Sequence, residues 1–315
     1  MIWTSSSILL REFNINGYIV NVEPLHIGAG KEPPLGSLVD LAVLRIKYMG
    51  IDLPYIPGSS LKGVFRSTAT TIVRSKGMKA CSGLSKETCM ELEDVVTERV
   101  KGELGEVIRS YLRENKSKEA MELFFKNACI LCKIFGAPSY TGKVTFSDAY
   151  PIDENGKPFP FSFDIKTGIA IDRKTGAVYS GALYTLEYVK PGVSFKFSIH
   201  CTNLPNYALG LLATVMSMIQ TGDVKIGGFK TRGLGGIRFE KLFIRARDLP
   251  KIESPILRSL EEGVDEEVDL SNLVTLKDGW LIAEGSSAWN VLRKLEEVWW
   301  RAGPKGRSNQ TESKR

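Results

Sequence analysis

The spacing of hydrophobic and polar positions changes along the chain, and each change predicts an element. Alternation is strictest over residues 193–200, which is typical of a strand with one buried face. Weaker alternation predicts further strands at residues 8–22, 39–48, 144–149 and 237–245. A long β-hairpin is predicted over 161–188, because turn-forming residues occupy 172–176 between two apolar segments.

Helical spacing appears in three places between the predicted strands. Apolar residues recur at intervals of three and four after Ser59 and Ser60, whose hydroxyls are suited to cap a helix. Residues 207–220 carry few charges, so we expect a largely buried helix there. Residues 78–127 are charged and only partly periodic, which predicts a helical insertion. The order strand, helix, strand, repeated once, predicts an α+β fold with a ferredoxin-like core.

Composition adds a bias in charge to this outline. The chain has 315 residues, 43% hydrophobic and 25% charged, which is typical of a globular protein of one elaborated domain or two small ones. Its net charge of +6 is uneven, because residues 1–247 carry +9 and residues 248–269 carry −6. A unit this basic favours a polyanionic partner such as nucleic acid, although a lysine-rich soluble surface explains the charge equally well.

The charge division also suggests a domain boundary. We expect residues 1–247 to form the main domain and residues 248–302 an acidic linker with a small tryptophan-bearing appendage. A disordered basic tail is expected at 303–315. No apolar run approaches the ~20 residues that a membrane span needs, and none resembles a signal peptide. We therefore expect a cytoplasmic protein without a membrane partner.

Four of the five cysteines form two pairs in the sequence. Cys129 and Cys132 are a CxxC pair, and Cys81 and Cys89 are a looser pair with seven residues between them. Two such pairs can bind one tetrahedral zinc ion, and four thiolates would leave no position for water, so the zinc would be structural. The alternatives are four thiols buried as small hydrophobes and a redox-active CxxC.

Glycines and basic residues are interleaved over 226–236, between a predicted helix and a predicted strand. Gly228 and Gly233 allow the backbone to approach a ligand closely, and Lys230 and Arg232 add positive charge beside them. This pattern predicts contacts with phosphate. A plain tight loop is the alternative.

A second basic pair lies at the start of the predicted helix after Ser59. Lys62 and Arg66 are four residues apart and so share one helix face, near the positive end of the helix dipole. We predict RNA contacts here as well, although such a pair by itself is usually a solvated face.

Several of these segments together resemble the RAMP superfamily of CRISPR proteins. They look like the backbone subunit of type III effector complexes in particular. The resemblance is carried by Leu-His-Ile-Gly at 25–28, the segment 53–63 and the glycine-rich loop 227–235, while the cysteine-bearing segment 129–136 is similar to zinc-containing members. It covers residues from about 8 to 247.

The resemblance implies an RNA-recognition-motif-like, modified ferredoxin-like core with a helical zinc-binding insertion at 78–135. It also implies that the hairpin 161–188, with Arg173 at its turn, acts as a thumb inserted between base steps of a guide–target duplex. Copies of such subunits stack along a CRISPR guide RNA. The expected partners are therefore guide RNA, target RNA, other RAMP subunits and further copies of this chain.

In the family, a loop aspartate just before a strand helps to cleave target RNA with a divalent metal, Mg²⁺ or Mn²⁺. The matching segment here is 35–43, which assigns the catalytic role to Asp40. This segment has one extra residue before the aspartate and has Ala42 where a proline is common.

Two other functions are compatible with the same sequence. The chain could be a purely architectural subunit that binds guide RNA while a paralogue cuts the target. It could also process guide precursors, using His26 as an acid or base without a metal. If His26 has no catalytic role, we expect it to be an RNA contact or a structural residue.

Overall fold

The computed structural model describes residues 3–30, 39–84, 86–92, 95–96, 101–250 and 254–302 of the chain. Its α-helices are α1 (Gly58–Ser75), α2 (Leu104–Arg113), α3 (Ser117–Asn127), α4 (Ile130–Phe135), α5 (Asn206–Thr221) and α6 (Ser286–Arg301). Its strands are β1 (Arg11–Asn21), β2 (Arg45–Tyr48), β3 (Ile51–Pro54), β4 (Val95–Val96), β5 (Lys101–Gly102), β6 (Val144–Phe146), β7 (Phe163–Ile171), β8 (Val178–Val189), β9 (Ser194–Thr202), β10 (Ile237–Asp248), β11 (Ile256–Leu257), β12 (Val268–Asp269), β13 (Thr275–Lys277) and β14 (Trp280–Glu284).

The main sheet is antiparallel and six-stranded, in the order β13-β14-β10-β1-β9-β6. Four of these strands, β10, β1, β9 and β6, are neighbours in the sheet. Apart from the elements inserted between them, these strands and the helices α1 and α5 follow one another along the chain as β1-α1-β6-β9-α5-β10. The predicted α+β class is confirmed. The predicted hairpin is also present, because β7 and β8 pair with each other as a separate two-stranded sheet inserted between β6 and β9.

The core lies between one face of this sheet and the helices. On β9 the side chains of Phe195, Phe197 and Ile199 are buried, as its alternating pattern predicts. Helix α5 is buried almost all round because the sheet packs on one side and α6 on the other. At Gly210 a Cβ atom would lie 2.1 Å from the carbonyl oxygen of Leu295, so only glycine allows α5 and α6 to pack this closely. Among the described residues, no helix is both long and apolar enough to cross a membrane.

The start of α1 differs from its predicted capping. The helix begins at Gly58, and neither Ser59 nor Ser60 caps it. Instead the carboxylate of Asp148 accepts a hydrogen bond of 2.7 Å from the Gly58 amide. Asp148 follows β6, some ninety residues further along the chain, so this cap depends on tertiary structure and local spacing does not reveal it.

Residues beyond 247 pack against the main domain. Strand β14 extends the main sheet by pairing with β10. At the end of β10, the buried guanidinium of Arg11 binds the carboxylate of Asp248 at 2.6 and 2.8 Å. Asp265 accepts from the amides of Tyr207 and Leu260, so part of the acidity of this segment serves internal hydrogen bonds. The domain boundary at 247 stays a prediction, and the predicted tail at 303–315 lies outside the described residues.

Candidate functional site

The four paired cysteines converge on one point beside α1 and α4. Cys129 is the N-terminal flanking residue of α4, and Cys132 lies in the first turn of that helix. Cys89 begins a short 3-10 helix, which Thr88 and Glu91 hold in place with a capping box. Together with Cys81, which follows α1, they place four Sγ atoms within 4.8 Å of one another.

This geometry fits a tetrahedral metal ion. Zinc bound to four thiolates at about 2.3 Å requires sulfur–sulfur distances of about 3.8 Å. The Sγ atom of Cys81 lies 3.2 Å from that of Cys132 and 3.7 Å from that of Cys129, and no described cysteine is in a disulfide. Hydrogen bonds between the neighbouring thiols hold the pKa of Cys81 below its ordinary value and that of Cys132 above it, so Cys81 carries the thiolate charge and Cys132 donates to it.

Arg66, a predicted RNA contact, places its guanidinium beside this cluster. One guanidinium nitrogen lies 3.7 Å from the sulfur of Cys132 and 3.9 Å from that of Cys81. Another donates to the carbonyl of Gly136 at 2.9 Å. A fixed positive charge beside four thiolates offsets part of the negative charge that a bound divalent ion leaves uncompensated. The sequence places Arg66 correctly on the helix but does not show which way its long side chain turns.

A second group of residues surrounds the base of the β7–β8 hairpin. The predicted strand 39–48 is regular only over Arg45–Tyr48, and before it Leu41 and Val43 make single bridges to Leu186 and Gly28. The segment around residue 25 bridges to Val189. Both segments are therefore held against the last residues of β8. We call the group formed by residues 25–28, 39–45 and 184–189 the thumb base.

Asp40 lies at the exposed side of the thumb base. Its Oδ2 atom accepts hydrogen bonds from the amide (2.7 Å) and the hydroxyl (2.9 Å) of Thr185. The Thr185 hydroxyl in turn accepts from the Asp40 amide at 2.9 Å. Donation by the Thr185 backbone, and then by its side chain, lowers the pKa of the Asp40 carboxyl. Among the described residues, Thr185 holds the carboxylate through Oδ2, and the side chain as a whole is exposed.

Glu187, two residues further along β8, organises the buried side of the thumb base. Its carboxylate accepts from the amide of Val43 at 2.9 Å and pairs with Arg45. Its backbone carbonyl is bonded to Nδ1 of His26 at 2.7 Å. A carbonyl only accepts, so the proton of the neutral imidazole lies on Nδ1.

His26 is buried, and its burial lowers the pKa of its imidazole. Its carbonyl accepts from the amide of Gly228 at 2.9 Å, and its ring packs edge-on against Phe229 with centroids 5.7 Å apart. These contacts join the thumb base to the glycine-rich loop. They suit a structural histidine better than an exposed acid or base.

The remaining predicted contacts lie on the surface. Lys230, Arg232 and Gly233 are exposed in the glycine-rich loop, where Phe229 and Gly233 adopt left-handed backbone conformations. Lys62 is half-buried on α1, and desolvation followed by the charge of Arg66 lowers the pKa of its ammonium. Arg173 is exposed at the turn of the hairpin. Large apolar side chains are exposed along that hairpin: Ile165, Ile169, Ile171, Val178, Tyr179 and Leu183.

Sequence reasoning missed three residues that shape this region: Thr185, Tyr184 and Phe229. Thr185 orients Asp40 from 145 positions away. Tyr184 and Phe229 stack with centroids 6.1 Å apart, although they belong to the hairpin and to the glycine-rich loop. An aromatic residue within a glycine-rich loop is the only local signal that pointed to such a contact.

The chain is similar in sequence to known proteins over most of its length. The protein is 26% identical over 270 residues to a protein of Methanocaldococcus jannaschii named CRISPR system Cms endoribonuclease Csm3, covering 81% of this chain and 92% of that one. A cryo-EM structure of the Type III-B Cmr-beta bound to cognate target RNA matches with a TM-score of 0.42 and 18% identity, over 74% of this chain and 61% of that one. This chain thus spans about three fifths of that solved chain. Residues 18–238 match the sequence pattern of the RAMP superfamily, and the chain belongs to this superfamily.

Proposed function

We propose that this chain is an RNA-binding backbone subunit of a type III CRISPR effector complex, and that it cuts target RNA at Asp40. The single observation that carries the proposal is the exposed Asp40 carboxylate at the thumb base, which Thr185 holds through one oxygen. The similarity to a protein named an endoribonuclease over most of both chains supports it.

Guide RNA would lie across the thumb base and the glycine-rich loop. Lys230 and Arg232 present exposed positive charges there, and Lys62 lies near the amino end of α1. Phosphate contacts of this kind position an RNA strand without reading its sequence. The exposed apolar hairpin would separate base steps, as the family resemblance implies, and neighbouring subunits or further copies would continue the assembly along the guide.

For cleavage, the carboxylate of Asp40 would hold a divalent ion, Mg²⁺ or Mn²⁺. Such an ion, when bound, neutralises charge that develops on the scissile phosphate. The chain itself would supply alignment, because a nucleotide displaced by the hairpin can place its 2′-hydroxyl in line with the next phosphate. Since no second acid or base lies beside Asp40 among the described residues, we expect slow turnover.

The four-cysteine cluster would hold zinc with a structural role. Cys81, Cys89, Cys129 and Cys132 would form a closed shell without a position for water, which is the arrangement of structural zinc sites. The zinc would fix residues 78–135 against α1.

Target-RNA cleavage by the reconstituted complex tests the proposal. With Mg²⁺ or Mn²⁺ present, Asp40→Ala should abolish the defined cuts and leave guide binding intact. Asp164→Asn, a change to an exposed carboxylate on β7, serves as the matched control and should cut normally. Unchanged cutting by Asp40→Ala would make the chain an architectural subunit. Metal-independent cleavage lost in His26→Ala would instead favour guide processing.

A further inference from the structure

A small cavity lies between the β7–β8 hairpin and the glycine-rich loop. Its volume is about 230 Å³, and it is lined chiefly by Lys166, Gly168, Tyr184, Leu186, Phe229 and Arg232. Pockets for drug-sized ligands measure about 300–1,000 Å³. This cavity is smaller and therefore suits a single flat ring system.

Two aromatic rings border the cavity in nearly parallel planes. Tyr184 and Phe229 are inclined by 22° with centroids 6.1 Å apart. Tyr184 packs directly against the backbone of β7 at Gly168. A Cβ atom at that glycine would lie 2.1 Å from the Cζ atom of the Tyr184 ring. The glycine thus leaves room for the ring, and the pairing of β7 with β8 sets its orientation.

Positive charge surrounds the same rings. The guanidinium of Arg232 donates to the Tyr184 hydroxyl at 2.7 Å and lies 5.6 Å from the centroid of Phe229. Lys166 lines the cavity on the opposite strand, and no carboxylate is among the lining residues. Flat aromatic faces beside cations are the chemistry that binds nucleobases, since the rings stack on a base and the cations attract the adjoining phosphate.

We propose that this cavity is a stacking site for one nucleobase of the bound RNA strand, with Tyr184 and Phe229 as the stacking residues and Arg232 as the phosphate contact. The inference rests on the proposed function, because it assumes RNA as the ligand. Stacking uses the face that all bases share, so the site would tolerate any sequence. That tolerance suits a subunit that must hold guides of arbitrary sequence.

The test uses the full chain with single-stranded RNA oligonucleotides that carry one 2-aminopurine at successive positions. Stacking quenches this fluorescent base, and anisotropy of an end label measures binding of the strand independently. We expect binding to quench this base, and the quenching to be lost in Phe229→Leu and in Tyr184→Leu. Tyr184→Phe keeps the ring and should keep the quenching. Trp300→Leu, at an exposed aromatic on α6 away from the hairpin, is the matched control and should also keep it.

Affinity should fall about tenfold in Phe229→Leu, the usual effect of removing one base–aromatic stack. If the wild-type chain binds the RNA strand but the 2-aminopurine emission is the same in wild type and in Phe229→Leu, the stacking site is overturned. The proposed function would still stand. Failure of the wild-type chain to bind any RNA strand would overturn both. Quenching that also disappears in Trp300→Leu would place the stacked base outside this cavity and overturn the stacking site.

Discussion

The cysteine cluster and the thumb base are both polar groups brought together from distant parts of the chain, but they differ in what is left open. Three of the four cysteines are buried, and their sulfurs face one another. At the thumb base, Asp40 is exposed, and Thr185 holds its carboxylate through one oxygen. A closed set of ligands stabilises a fold, whereas an open ligand is available to a substrate.

The basic residues of the two regions also differ in their surroundings. The guanidinium of Arg66 lies next to the cysteines, where it can offset thiolate charge inside the protein. Lys230 and Arg232 lie in solvent beside the thumb base, where they can meet a phosphate. Both regions contain basic residues, and the difference lies in where the side chains point. At the cysteine cluster the guanidinium of Arg66 points to the sulfurs, and at the thumb base Lys230 and Arg232 are exposed to solvent.

The largest effect should come from opening the closed site. Cys132→Ser removes one zinc ligand, and apparent zinc-binding free energies of about 10–16 kcal/mol in zinc-finger peptides are comparable with the whole stability of a domain. We therefore expect loss of bound zinc and unfolding of the region 78–135, measured as zinc content and as protease sensitivity of that region. Cys201→Ala, at a buried cysteine outside the cluster, should keep its zinc. A normal melting temperature in a strong chelator would contradict the zinc site.

A smaller effect should come from loosening the open site. Thr185→Val removes the hydroxyl that donates to Asp40 but keeps the backbone donor. Partners of metal-binding groups typically contribute 10–100-fold, and we expect a loss of about tenfold in the cleavage rate. The pH profile gives the more specific readout. Hydrogen bonds from Thr185 lower the pKa of Asp40, so cleavage is lost as pH falls through that lowered pKa.

In Thr185→Val the pKa of Asp40 should rise towards its ordinary value, and the acid limb of the rate profile should move to higher pH. Thr185→Ser keeps a hydroxyl and should restore the wild-type limb. If the rate falls equally at every pH, Thr185 supports the fold of the hairpin and does not tune Asp40.

Several of these features were predictable because they depend on local sequence. The alternation in β9, the few charges in α5 and the CxxC spacing each follow from side chains within a few residues of one another. The looser cysteine pair was grouped with the CxxC on chemistry alone, and the structure brings all four sulfurs together.

What escaped prediction depends on contacts between remote segments. The helix cap from Asp148, the direction of Arg66 and the Thr185–Asp40 pair all join residues that are distant in sequence. The segment 254–302 shows a different difficulty. Its acidic part is predicted as a linker from charge alone, which does not show that Asp265 is buried and accepts hydrogen bonds from the backbone amides of Tyr207 and Leu260.

The smallest predicted effect is on RNA affinity, and it should differ between basic residues of the two regions. Lys62→Ala with Lys230→Ala removes two charges that we assign to phosphate, so RNA binding should weaken equally for all sequences. The slope of log affinity against log salt should become shallower by about 1 for each lysine. Arg66→Ala is the informative comparison, since it removes a third cation from the same helix as Lys62. Because its guanidinium faces the cysteines, it should weaken zinc retention and leave the salt slope unchanged. A shallower slope in Arg66→Ala would mean that Arg66 turns outward to RNA and that the two regions share their charge.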